Sequence, residues 1–208
     1  MIAMQDVPDH AAEYLAAVHY SRESVLTRPY PVPAIAGVYG WWFRDIPPGV
    51  PTDGCKTSKG LTQLYAGISP KKPPTNGKPP SSQTIRSRIR THYSGNAAGS
   101  TLRRTLGCLL QAELGIELRR YGSGKRYTFG VGERDLSHWM AANAYVSWIG
   151  HESPWEVEDQ LIEQLNVPLN LDGNKHNSFY LTLKAVRAAA VANANSLPVL
   201  ESPGVGGR

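Results

Sequence analysis

Apolar positions recur along this chain with two periods, and the switches between them mark out the elements. Residues 9–26 carry apolar side chains at helical spacing, with Asp9 as the cap after Pro8. A proline-rich break over 27–33 ends this helix. Residues 35–43 (IAGVYGWWF) are β-branched and aromatic and predict a first strand. A loop rich in Pro and Gly follows to residue 60. The stretch 61–68 (LTQLYAGI) predicts a second strand with Leu64, Ala66 and Ile68 on one face and Gln63, Tyr65 and Gly67 on the other. Residues 69–82 form a Pro-rich loop that carries Lys71, Lys72 and Lys78.

Beyond the loop, residues 83–93 (QTIRSRIRTHY) read as a basic helix with Ile85 and Ile89 turned inward. A second helix is predicted over 100–114, a hairpin over 116–131 around Gly122-Ser123-Gly124, and a helix over 133–143. Residues 144–149 (AYVSWI) return to strand character. Pro154 opens a helix over 154–166, and an Ala-rich helix covers 177–195. The tail, 197–208, is expected to be disordered. These elements amount to an α/β (α+β) fold, with a small central antiparallel sheet flanked by helices. The expected organisation is an N-terminal helical extension (1–33), a main domain (34–172) with a helix and hairpin inserted over about 94–143, and a C-terminal helix (173–196).

Composition narrows the classes of function. The chain has 208 residues, 41% of them hydrophobic, enough for a packed core. Lys+Arg 22 against Asp+Glu 17 gives a net charge of +5, which permits a nucleic-acid partner. Cys55 and Cys108 stand far apart and write neither a zinc site nor a disulfide framework, which fits a reducing compartment. Residues 1–9 lack the pattern of a signal peptide, and no run approaches the roughly 18 apolar residues of a membrane span. The expected location is cytoplasmic, with no membrane partner.

The candidate chemistry lies in scattered pieces: Gly37-Val38-Tyr39, Tyr65-Ala66-Gly67, Arg88 with His92 four positions on, and Glu158 followed twelve positions later by Asn170. In this order, on two strands, a basic helix and an acidic helix, they resemble the GIY-YIG nuclease family. Val and Ala replace the two isoleucines that name it, and both tyrosines are kept. Arg88-Ile89 with His92 follows the family's helix pattern. Glu158-Asp159-Gln160-Leu161-Ile162 with Pro168-Leu169-Asn170 follows its metal-binding pattern. The separation of Tyr39 from Tyr65, the Pro/Lys loop and the block 94–143 depart from the compact form of the family.

The resemblance implies a Mg²⁺- (or Mn²⁺-) dependent endonuclease acting on DNA. In it Tyr39 activates water, with Tyr65 assisting. Arg88 offers a permanently charged planar fork to the phosphate oxygens, and His92 orients substrate or relays a proton. Glu158 holds the metal, which suits an ion that keeps most of its waters, and Asn170 supports Glu158 or a metal-bound water. Lys71, Lys72, Lys78, Arg86 and Arg90 are the expected nucleic-acid contacts. The alternative is a catalytically silent nucleic-acid-binding module of the same fold. Restriction, repair and other roles stay open at this point, as do DNA against RNA and oligomeric state.

Overall fold

A computed structural model describes residues 10–77, 79–201, 203 and 204. Asp9 and Lys78 therefore lie outside the described residues. The elements in chain order are α1 (His10–Ala16), β1 (Tyr20–Ser21), α2 (Arg22–Leu26), β2 (Gly37–Phe43), β3 (Thr57–Ser58), β4 (Leu61–Ser69), α3 (Ile85–Ser94), α4 (Thr101–Leu109) and α5 (Gln111–Leu114). Then come β5 (Arg119–Tyr121), β6 (Arg126–Thr128), a 3₁₀ turn (Gly130–Gly132), α6 (Glu133–Asn143), β7 (Ala144–Gly150), α7 (Pro154–Gln164) and α8 (Tyr180–Ser196).

Five strands form one antiparallel sheet in the order β1-β7-β2-β4-β3, and β5 and β6 form a separate hairpin. β2 lies at the centre, and all seven of its residues are buried. The reason is that helices cover both faces of the sheet, so the run GVYGWWF has no solvated side to alternate with. On one face Tyr39, Trp41 and Phe43 pack with Ile85, Ile89, Leu102 and Met140 from α3, α4 and α6. On the other, Val38, Ala66 and Ile149 pack with Tyr14 of α1 and Val157, Leu161 and Ile162 of α7. Burying each of Trp41, Trp42 and Phe43 stabilises the fold by roughly 1.5–3 kcal/mol.

Four sequence expectations change. The single helix over 9–26 is two short helices. Tyr20 and Ser21 leave the helical path to pair with Val146 and Tyr145 on the edge of β7, and the Ser21 hydroxyl then caps α2. The helix over 100–114 breaks at the fully buried Leu110, whose ψ of 6° departs from the helical range. In β4 the register skips a residue: Trp41 faces Tyr65 and Trp42 faces Gln63. This bulge moves Leu64 to the Tyr39 side and Gln63 to the Tyr14 side, so simple alternation along β4 fails there. Finally, residues 197–200 are ordered against the hairpin. The Leu200 N–H donates to the Arg120 carbonyl at 2.8 Å, and Gly122 N–H donates back to the Leu200 carbonyl at 3.0 Å.

Candidate active site

Tyr39 and Tyr65 reach the same face of the sheet from adjacent strands, offset diagonally: Tyr39 is paired with Gly67, and Tyr65 with Trp41. Gly67 makes room for the phenol. A Cβ at that position would lie 2.8 Å from the Tyr39 hydroxyl and 2.9 Å from Cζ, so a side chain there evicts the tyrosine. Gly37 is required for a different contact, since its Cβ would lie 2.3 Å from the Ile149 carbonyl on β7. The two glycines of the tripeptides thus have steric tasks in this chain.

α3 begins at a capping box, with Thr84 accepting from Ser87 N–H and the Ser87 hydroxyl accepting from Thr84 N–H. The helix delivers Arg88 and His92 one turn apart. Arg88 lines the cleft and is held by a bond from Nη1 to the Gly99 carbonyl at 2.8 Å. His92 is fully buried behind Tyr39, with Nε2 3.0 Å from the Tyr39 hydroxyl and Nδ1 2.6 Å from Ser100 Oγ. It does not line the cleft, so the expectation that it orients substrate gives way to a partnership with Tyr39. Burial, reinforced by the positive charges of Arg88 and Arg103, holds the imidazole well below its usual pKa and therefore neutral. Burial likewise pushes both phenols up; Arg88 pulls against this at each.

The cleft has a volume of about 650 Å³ and gathers Tyr39, Tyr65, Lys71, Lys72, Arg88, Glu158 and Asn170. Glu158 comes from the first half of α7. Its carboxylate makes no hydrogen bond or ion pair with any described residue. Burial raises its pKa from 4.5 to about 7; Asp159 and Asp172 add to the shift and Lys71 opposes it. A dehydrated carboxylate left without a protein partner suits a hard cation that brings its own waters. No group of three or more His, Cys, Asp or Glu able to hold a metal occurs among the described residues, which argues against a zinc-type ligand set.

Asn170 has a different task from the expected one. Its Oδ1 accepts from Ala66 N–H at 2.9 Å and its Nδ2 donates to the Ala66 carbonyl at 2.8 Å. Leu169 N–H donates to the Leu64 carbonyl alongside. The asparagine acts as a substitute strand, satisfying the open edge of β4 between Tyr65 and Gly67. Its amide is committed to backbone rather than to Glu158. Arg86 and Arg90 are also displaced from their expected place. Two positions to either side of Arg88 is the far side of a helix, and both guanidiniums gather over the Tyr30 ring instead of in the cleft.

Sequence reasoning missed the contribution of residues 94–143. Ser100 partners His92, Gly99 holds Arg88, and Thr101 and Thr105 line the cleft. Beneath them Arg103 and Glu133, both fully buried, form an ion pair at 2.8 Å. Arg103 also donates to the His92 carbonyl, and Glu133 Oε1 accepts from Ala97 N–H, Phe129 N–H and the Thr128 hydroxyl. Ser100 is a helix cap by position, so the one signal in the sequence pointed to structure alone. Asp172 and Arg187 also line the cleft and belong to no motif.

Comparison with known families agrees with this geometry. The family model described as the GIY-YIG catalytic domain matches residues 37–189, from the first residue of β2 into α8. No curated protein and no solved structure matches the chain. No helix among the described residues is long and apolar enough to cross a membrane. With its two tyrosine-bearing strands at the centre of a helix-covered antiparallel sheet, the chain belongs to the GIY-YIG nuclease family.

Proposed function

We propose that the protein is a Mg²⁺- or Mn²⁺-dependent endonuclease that hydrolyses phosphodiester bonds in DNA. The observation that carries this reading is the Tyr39–His92 pair set at the wall of a cleft that also holds Tyr65, Arg88 and Glu158. Tyr39 in the resting protein keeps its proton, so it is a base only if it can pass that proton on. Neutral His92 provides the acceptor, and because burial and the charges of Arg88 and Arg103 disfavour its protonated form, it holds that proton only during the step. With Nδ1–H donating to Ser100 Oγ, the Nε2 lone pair faces the Tyr39 hydroxyl at 3.0 Å. The phenol oxygen takes a proton from the attacking water as its own proton moves to Nε2, leaving a tyrosine and an imidazolium.

Arg88 neutralises charge on the non-bridging oxygens of the transferred phosphate, and Tyr65 hydrogen-bonds the phosphate or the water beside it. Glu158 would hold the cation, which when bound would neutralise charge developing on the leaving oxygen. Asn170 fixes the backbone between Tyr65 and Gly67, and so acts as a positioning residue. Lys71 and Lys72 flank the cleft and suit the DNA backbone on either side of the cut.

The test is cleavage of supercoiled plasmid with Mg²⁺, with Mn²⁺ and with EDTA, by wild type, Tyr39→Phe and Glu158→Ala. Wild type should cut only with metal. Tyr39→Phe should be slower by about 10²- to 10⁴-fold, the usual scale of general base catalysis, and Glu158→Ala should bind DNA without cutting. Undiminished cleavage by Glu158→Ala refutes the metal assignment. Binding without cleavage by the wild type assigns the protein to the silent modules of the family.

A further inference from the structure

One cation in the cleft belongs to none of the motifs. Arg187, on α8, lines the cleft together with Arg88 and is partly buried. A guanidinium presents five N–H donors. Among the described residues Arg187 uses one, a long bond from Nη1 to the Thr105 hydroxyl at 3.4 Å. No carboxylate forms an ion pair with it; the two ion pairs among the described residues lie elsewhere. The strongest charge acting on it is another cation, Arg104, whose own Nε is buried without a partner. Asp172 lines the same cleft and acts on Arg187 only at a distance.

Two guanidiniums that repel one another, both partly removed from water and without an ion-paired carboxylate, are unfavourable in the free protein. An anion in the cleft relieves the repulsion and satisfies the free donors. The surroundings favour an oxyanion: the Thr105 hydroxyl accepts from Arg187 and can donate onward, and Thr101, one turn away on α4, lines the same cleft. Resting on the nuclease reading, in which Arg88 takes the scissile phosphate, we infer that Arg187 with Thr105 forms a second phosphate subsite that grips a neighbouring phosphate of the cut strand. It is a positioning residue that fixes the register of the strand. A purely structural Arg187 would tie α8 to α4 through that single long bond.

The experiment measures Kd for a mixed-sequence DNA duplex of about 30 base pairs in EDTA, across about 50 to 200 mM KCl. Loss of one phosphate contact in Arg187→Gln should lower the slope of log Kd on log salt by about 0.9. At the lowest salt it should weaken binding about tenfold, the scale of a charged hydrogen bond. Arg187→Lys should keep the wild-type slope and lose several-fold in affinity, because a point charge replaces the fork. Wild-type slope and affinity in Arg187→Gln overturn the inference. If that variant does not fold, wild-type affinity in Arg187→Lys overturns it instead. Wild-type protein without salt-dependent affinity refutes this subsite and the nuclease reading together. Salt-dependent binding that Arg187→Gln weakens, in a protein that does not cut plasmid, upholds the subsite while the nuclease reading fails.

Discussion

Glu158→Gln separates the cost of building the proposed metal site from its use. The carboxyl is held in a partly buried cleft near Asp159 and Asp172, and its pKa rises from 4.5 to about 7. Between those values the unfolded chain has lost the proton and the folded protein retains it. Stability therefore falls as pH rises through this window, with the full contribution present below 4.5 and lost above about 7. At about 1.36 kcal/mol per pH unit the ceiling is roughly 3 kcal/mol. The partial exposure of the side chain screens this to about 2 kcal/mol. Urea unfolding in EDTA at about pH 5 and about pH 8 measures it. The glutamine variant should gain about 2 kcal/mol on the wild type between the two conditions. Millimolar Mg²⁺ should then close the gap at the higher pH by stabilising the wild type alone, since only its carboxylate binds the ion. A difference between the proteins that stays constant with pH refutes the burial argument. A difference that Mg²⁺ leaves unchanged refutes Glu158 as the metal ligand.

Two further predictions concern the frame of the site. Gly67→Ala forces a methyl against the Tyr39 phenol; it should cost about 1–3 kcal/mol in denaturant unfolding and abolish plasmid cleavage while DNA binding survives. Cleavage at the wild-type rate would show that the ring has another place to go. Arg103→Ala leaves the buried Glu133 carboxylate without its partner and should cost about 3–5 kcal/mol in the same measurement. A loss below about 1 kcal/mol would mean that the Ala97, Phe129 and Thr128 donors alone sustain the charge.

Local patterns made the frame of this protein legible. The aromatic run around Tyr39 and the tripeptide around Tyr65 depend on neighbouring residues and lie on strands as the pattern predicts, while the basic helix expected from residue 83 starts at Ile85 behind a Thr84–Ser87 capping box that the pattern did not single out. Alternation failed in β4, because a bulge inserts one residue without leaving any mark on the hydrophobic pattern. The break after Ala16 escaped for a similar reason: what pulls Tyr20 and Ser21 out of the helix is a pairing with β7, more than a hundred residues away. For the site residues, the family resemblance named a set, of which Tyr39, Tyr65, Arg88, Glu158 and Asn170 line one cleft, but it did not say what each one touches. Asn170 was found as a member of the set, yet only the fold shows its amide spent on Ala66. Arg86 and Arg90 looked equivalent to Arg88 by charge, and helical rotation separates them.

The block 94–143 interrupts the motif order, and a sequence reading treats it as a tolerated insertion in a loop. Its residues are better understood as the back wall of the site. The proposed Tyr39–His92 relay needs an imidazole that is neutral, correctly oriented and shielded from water. Ser100 supplies the orientation and α4 supplies part of the shielding. Arg88 is aimed through the Gly99 carbonyl, and Arg103 fastens the end of α3 through the His92 and Tyr93 carbonyls. The Arg103 anchor in turn depends on Glu133, thirty residues further along, whose second oxygen ties down Ala97, Thr128 and Phe129. A single buried ion pair therefore links the inserted helices to both the Tyr39–His92 pair and Arg88. Breaking it should loosen the catalytic geometry together with the fold. Deleting the block would remove Gly99, which holds Arg88, and Ser100, which orients His92, while leaving every motif residue in the sequence.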